Sequence, residues 1–183
     1  MTFSAWRIVK QKHARSAFSG EGARLYGGRW NSPGTAMIYT AQSQSLAVLE
    51  VLVHLDSPEL LEKYLFFEVV IEAVFAEEFD PSRLPRNWRA SPIPARLQAV
   101  GDEWVADGRS AVLRVPSVLV PAESSFLLNP RHPDFGKLQI NSGNLMVTTC
   151  RFQNPGPRPV GHHIVESNTQ DSGCDPVRLR PCY

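Results

Sequence analysis

Glu50 lies inside an apolar run, Leu46-Ala47-Val48-Leu49-Glu50-Val51-Leu52-Val53. A helix built from these residues is apolar on every side and is expected to be largely buried. A carboxylate there is unfavourable unless it is paired, protonated or lining a cleft. A functional carboxylate and a helix rim with Glu50 facing water are both open. A second group of residues is Arg24-Leu25-Tyr26-Gly27-Gly28-Arg29-Trp30-Asn31. Its two glycines allow a tight turn or a close approach to a ligand. Arg29 then offers a planar fork suited to phosphate or carboxylate, and Arg7 and Arg24 can add phosphate contacts. The plainer alternative is a turn with a surface arginine. A third group is Val115-Pro116-Ser117, joined by Asn129-Pro130-Arg131-His132-Pro133-Asp134. Prolines stiffen both loops, so Ser117 and Asn129 can be held rigidly. A capping serine and an Asx turn would use the same residues.

Several familiar chemistries are missing. Gly20-x-Gly22 is followed by Leu25 where a dinucleotide fingerprint needs a third glycine, and no Gly-Lys-Ser/Thr occurs. Ser117 is not in a Gly-x-Ser-x-Gly elbow. The five histidines are scattered, and the adjacent pair His162-His163 falls near the C-terminus, so no metal is expected. Tyr39 precedes the Glu50 segment; it suits a core, or a stacking surface for a planar ring with its hydroxyl left to hydrogen-bond. The four tryptophans read most simply as core or cleft walls.

These groups need a scaffold, and 183 residues suffice for one domain with a genuine core. Hydrophobic residues are 43% and charged residues 20%, ordinary for a globular protein. The net charge of +1 gives no global pull toward nucleic acid or membrane. No apolar stretch approaches a membrane span, and Met1 to Lys10 lacks the features of a secretory signal. The cysteines, Cys150, Cys174 and Cys182, form no Cys-x-x-Cys pair, which argues against a disulfide scaffold and for a reduced, cytoplasmic protein. Residues 151–183 hold 5 of the 15 prolines and lack any helical or strand period, so they read as a poorly packed tail to a 1–150 domain.

Within that domain the pattern predicts a strand at 3–9, a Gly/Ser/Arg-rich loop at 16–34 and a short strand at 37–41. Ser43 is placed to cap a helix from Gln44 to about Leu55, ended by Pro58. A β-branched and aromatic strand follows at 64–74. Pro92 and Pro94 open a second helix carrying Ile93, Leu97, Val100 and Trp104 at helical spacing. Short strands are expected at 110–115, 118–120, 126–128 and 137–140. Few helices and many short strands in no regular alternation predict a single α+β domain.

Taken in order, the motifs resemble the RES domain, a family named for an Arg, a Glu and a Ser. The likeness runs from Trp6-Arg7-Ile8 through Gly27-Gly28-Arg29-Trp30-Asn31 and Ile38-Tyr39-Thr40-Ala41. It continues with Leu49-Glu50-Val51-Leu52-Val53-His54 and Val115-Pro116-Ser117, and closes at Leu128-Asn129-Pro130-Arg131-His132-Pro133-Asp134. One departure is Ser125-Phe126, where family members commonly carry Asn-Tyr. The resemblance implies a fold similar to ADP-ribosyltransferase toxins, with Arg29, Glu50 and Ser117 as the name-giving residues. It implies NAD as substrate, cleaved between nicotinamide and ribose by hydrolysis or phosphorolysis, or used to ADP-ribosylate a protein. It also implies an Xre-type antitoxin that blocks the cleft within an oligomeric complex.

The residue types suit that reaction. Glu50 would stabilise positive charge developing on the ribose. Arg29, with Arg7, would grip the pyrophosphate, and Tyr39 would stack on nicotinamide. Ser117 would position the ribose or amide, with Asn129 a further contact. A ribonuclease toxin would want a histidine base and a basic groove, yet residues 1–150 hold equal numbers of basic and acidic groups. A non-catalytic binding module would gain little from a carboxylate in so apolar a helix.

Overall fold

A computed structural model describes residues 1–53, 63–141 and 143–145 of the chain. The expected end of the first helix at Pro58 and the 151–183 tail lie outside the described residues.

The strand-forming residues build one mixed sheet. Its strands are β1 (Thr2–Lys10), β2 (Ile38–Ala41), β3 (Tyr64–Glu72), β4 (Ala76–Glu78), β5 (Val112–Pro116), β6 (Ser124–Leu128), β7 (Gln139–Ile140) and β8 (Asn144–Leu145). The spatial order is β4-β5-β6-β2-β1-β3-β7, with β8 also paired to β3. Every pairing is antiparallel except β4 with β5. Among the described residues three α-helices accompany the sheet: α1 (Glu21–Tyr26), α2 (Gln44–Leu52) and α3 (Ala95–Asp107). The α+β reading holds.

Side-chain alternation divides the sheet into two faces. One face carries Ala5, Ile38, Val69, Ile71, Val112, Phe126 and Leu128, packed with Phe3, Phe18 and Phe135. The rings of Phe3 and Phe126 lie 4.9 Å apart. The other face carries both longer helices. At one end α3 lays Leu97 and Trp104 over Leu113, Val115 and Leu127, together with Trp30 and Met37. At the other end Leu46 and Ala47 of α2 pack on Ala41 with Trp6, Ile8 and Phe66.

The helix starts are local. Ser43 caps α2, its Oγ accepting from the Leu46 N–H, as expected. Pro94 precedes α3, and Gly108 ends it at φ 58°, a left-handed position that favours glycine. Trp104 Nε1 donates to Ser110 Oγ at 2.9 Å, and Ser110 Oγ donates onward to Val112 O, which fastens α3 to β5.

Four expectations need correction. The 16–34 stretch is not all loop, because α1 forms inside it. No strand forms at 118–120: Ser117 Oγ accepts from the Leu119 and Val120 N–H groups and turns the chain. β4 forms where the sequence shows no strand pattern: Ala76-Glu77-Glu78 has no apolar alternation and is a strand only through pairing with β5 at the sheet edge. Finally, α2 is not buried all round. Leu49 is 38% and Val53 51% exposed, because only one side of the helix meets the sheet.

Candidate active site around Glu50

The phase of α2 places Glu50. It stands four residues after Leu46 and three after Ala47, the two fully buried residues of the helix, so all three share one face. Glu50 therefore faces the sheet rather than open water, and its Oε1 accepts a 3.2 Å hydrogen bond from Ser125 Oγ of β6. Burial pushes the Glu50 carboxyl up to about 7; the Ser125 hydrogen bond opposes this and the nearby Glu123 charge adds to it. A half-buried carboxyl raised toward neutrality, with a second carboxylate acting on it, makes Glu50 a candidate functional group.

Tyr39 lies next to this pair. Ser125 is directly opposite Ala41, and Tyr39 alternates onto the same face, about 7 Å further along β2. The Tyr39 hydroxyl reaches the other way. It donates to Asn31 Oδ1 at 2.7 Å and accepts from the Trp30 N–H at 3.0 Å. Tyr39 thus stands between Glu50 and the loop that carries Arg29.

That loop is built against α3. Gly27 has φ 70°, and a Cβ there would meet Pro33 Cδ at 2.9 Å, so the turn requires glycine. Gly28 N–H donates to Asn31 O. Gln98 of α3 donates to Gly28 O and Asn31 O, and the Asp102 carboxylate accepts from the Ser32 N–H. Asn31 is fully buried, its Nδ2 donating to the carbonyls of Ala23, Ser32 and Thr35. At the tip, Arg29 Nη1 donates to Trp88 O at 2.9 Å and Ala90 O at 3.4 Å. Its Nε and Nη2 groups have no hydrogen-bond partner among the described residues. Arg89 Nε in turn donates to Val118 O, so the Trp88–Ala90 stretch joins the Arg29 loop to the Ser117 turn.

The remaining expected site residues have different surroundings. Arg7 projects from the opposite face of β1; its Nε and Nη1 donate to Ala17 O and Tyr39 O, both at 2.7 Å. Arg24 is paired bidentately with Glu21, so its fork is engaged on the surface. Ser117 is buried at the Glu50 end of the sheet, and its backbone N–H donates to Glu123 O. Asn129 stands apart, four residues from Ser125 and about 13 Å along the strand. Its Oδ1 accepts from the Arg131 N–H, closing an Asx turn. A hollow of about 310 Å³ on the outer side of α3, lined by Arg83, Arg96, Ala99, Val100 and Glu103, contains none of the expected site residues. No cluster of metal-ligating side chains occurs among the described residues.

Set against known proteins, the sequence matches the RES domain over residues 4–149. The chain belongs to the RES domain family. A protein named Toxin Res from Yersinia enterocolitica is 45% identical over 130 residues, covering 71% of this chain and 86% of the relative. The Prs ADP-ribosylating toxin of a Sphingobium strain is 44% identical over 139 residues, covering 73% and 86%. In three dimensions this RES domain is similar to a chain in the crystal structure of the Mycobacterium tuberculosis MbcT–MbcA toxin–antitoxin complex. The TM-score is 0.65 at 22% identity, covering 80% of this chain and 85% of that one. That likeness bears out the single mixed α and β domain.

Residue reading alone missed Ser125, Glu123, Gln98 and Asp102. Asn31 was visible only as part of a motif. The signal for Gln98 and Asp102 was their i,i+4 spacing on α3, but nothing in sequence says which loop that helix edge faces. Replacement of Asn31 by Ala strands buried carbonyls and the Tyr39 hydroxyl. Each buried unsatisfied polar group costs about 1–3 kcal/mol. Asn31→Ala is therefore expected to lose at least about 3 kcal/mol of unfolding free energy in a urea titration; a loss below about 1 kcal/mol would mean that water replaces these bonds.

Proposed function

We propose that this RES domain is a toxin that cleaves the bond between nicotinamide and ribose in NAD, by hydrolysis or phosphorolysis, and that an Xre-type antitoxin neutralises it. The observation that carries the proposal is the Glu50 carboxyl. It faces the sheet beside Ser125, with a raised pKa and Tyr39 next to it. Support for a protein antitoxin comes from the fold shared with a chain of a toxin–antitoxin complex.

In this reading Arg29 binds the pyrophosphate through the guanidinium donors not spent on Trp88 and Ala90. The ring of Tyr39, its hydroxyl occupied by Asn31 and Trp30, offers its face to the nicotinamide. The C–N bond breaks with its electron pair leaving on nicotinamide, which departs neutral and needs no acid. Positive charge grows at the ribose, where ionised Glu50 stabilises it. Water or phosphate then bonds to the anomeric carbon, and the proton it gives up passes to Glu50 or to solvent. Ser117, buried at the Glu50 end of the sheet, positions the ribose side through its turn. Arg7 acts on the site by holding the Tyr39 backbone. Asn129 is a more distant contact.

The test is to incubate the antitoxin-free protein with NAD, with and without phosphate, and to separate the products by chromatography, with Glu50→Ala alongside. Glu50-dependent nicotinamide release establishes cleavage, and its phosphate dependence names the acceptor. No release from folded protein overturns the reading. Arg29→Lys is expected to weaken NAD binding about tenfold or more, because a charge-assisted contact contributes roughly 1.5–3 kcal/mol and a point charge cannot replace the fork. Unchanged affinity by calorimetry would remove Arg29 from the phosphate site.

A second reading is transfer of ADP-ribose to a protein side chain at the same pocket. The name of the Sphingobium relative favours it. Radiolabelled NAD in lysate separates the two: a labelled protein band supports transfer, free ADP-ribose or its phosphate supports degradation.

A further inference from the structure

Ser125 and Glu123 act on Glu50 with opposite chemistry, and neither belongs to the set of residues that gives the family its name. Ser125 Oγ is a neutral donor on Glu50 Oε1. Glu123 is a second carboxylate, held by hydrogen bonds from two other parts of the chain. Ser43, the N-cap of α2, donates from Oγ to Glu123 Oε2 at 2.9 Å, while the Glu123 carbonyl accepts from the Ser117 N–H at 3.0 Å. One residue thus fastens the Ser117 turn to the start of the helix that carries Glu50. Between Glu123 and Ser125, the Ser124 backbone is clamped by Gln42. Its N–H donates to Gln42 Oε1, and its carbonyl accepts from the Gln42 N–H. The register of both side chains toward α2 is therefore fixed. The apolar side chains packed on this part of α2 are Trp6, Ile8, Phe66 and Val120. Among the described residues Glu123 is the charged group acting on Glu50.

We propose that Ser125 and Glu123 are positioning residues that set the charge of Glu50 in opposite directions: the Ser125 hydroxyl favours the carboxylate by donating to it, and the Glu123 carboxylate disfavours it by like-charge repulsion. A hydrogen bond to the charged form lowers a carboxyl pKa, and a neighbouring negative charge raises it. The pair holds Glu50 at a poise where a positively charged ring arriving beside it shifts the balance toward the ionised form. This rests on Glu50 being the reactive carboxylate.

The experiment is a carboxyl-carbon NMR titration of glutamate-labelled full-length protein, with the Glu50 signal assigned by its loss in Glu50→Gln. The Glu50 midpoint is expected to rise in Ser125→Ala and to fall in Glu123→Gln, each by at least about half a pH unit, or roughly threefold in the ionisation constant. Ser125→Thr, which retains the hydroxyl, should return the midpoint to the wild-type value. The acid limb of nicotinamide release should move in the same directions. Midpoints that stay put, or that move the same way in both variants, overturn the proposal, since general loosening of the site has one sign. If the midpoints move as expected while wild-type protein releases no nicotinamide, the proposal stands and the NAD-cleavage reading falls.

Discussion

Glu50→Gln lowers nicotinamide release at least about 100-fold and makes the protein more stable above neutral pH. The loss of rate follows from removing one charge aimed at a developing cation in a partly dry site. Gln keeps the shape and can still accept from Ser125, so the fold is retained. The gain in stability follows from linkage. Burial raises the Glu50 carboxyl to about 7, against 4.5 for the exposed group. Between pH 4.5 and 7 the folded chain holds a proton that the unfolded chain has released, so stability falls as pH rises through this window. Below about 4.5 both states are protonated and the penalty is absent; above about 7 it is complete. The penalty is on the order of 3 kcal/mol. Thermal melts should show the variant well above wild type at pH 8 and equal to it near pH 4.5. A difference independent of pH would show that Glu50 ionises as an ordinary carboxyl. A folded variant with full activity would remove it from the reaction.

Gly101→Ala destabilises the protein by more than about 3 kcal/mol, although helix propensity alone predicts a gain of about 1 kcal/mol for Ala over Gly. The reason is backbone contact. A Cβ on Gly101 would lie 1.8 Å from Trp30 O, with Trp30 C and Met37 Cε at 2.9 Å. Trp30 cannot retreat, because its loop is tied to α3 through Gln98 and Asp102 and to β2 through Tyr39. The helix must lift, and Arg29 then loses its position. Gly22→Ala on α1 is the control: nothing lies within 4 Å of a Cβ there, so it should follow propensity and be neutral or slightly stabilising. Urea titration of both variants and NAD affinity of the first check this. A neutral Gly101→Ala would mean that α3 and the loop are not in contact.

The two results depend on different levels of organisation. Glu50 stood out by chemical type, as the one charge in an apolar helix. Gly101 did not stand out at all, and propensity gives its substitution the wrong sign. The same contrast holds elsewhere. The Ser43 cap and the Pro94 and Gly108 helix ends are local, and hydrogen bonds within a few residues decide them. β4 and the turn at 118–120 depend on partners distant in the chain or on a side chain competing for backbone N–H groups, and the strand pattern misread both.

By itself, then, the sequence determined the main strands, the two longer helices and the order of motifs that resembles a RES domain, because these rest on short-range periodicity, capping and residue chemistry. The tertiary structure decided which side of α2 meets the sheet. A helix apolar all round has no phase to read, and only packing on Ala41 and Trp6 turns Glu50 toward Ser125. It also decided that Arg7 and Tyr39 hold the loops together, that the Glu123 charge acts on Glu50, and that Asn129 stands at the far end of the strand. Those relations join residues tens of positions apart. They arise from strand order and register, which local sequence does not encode.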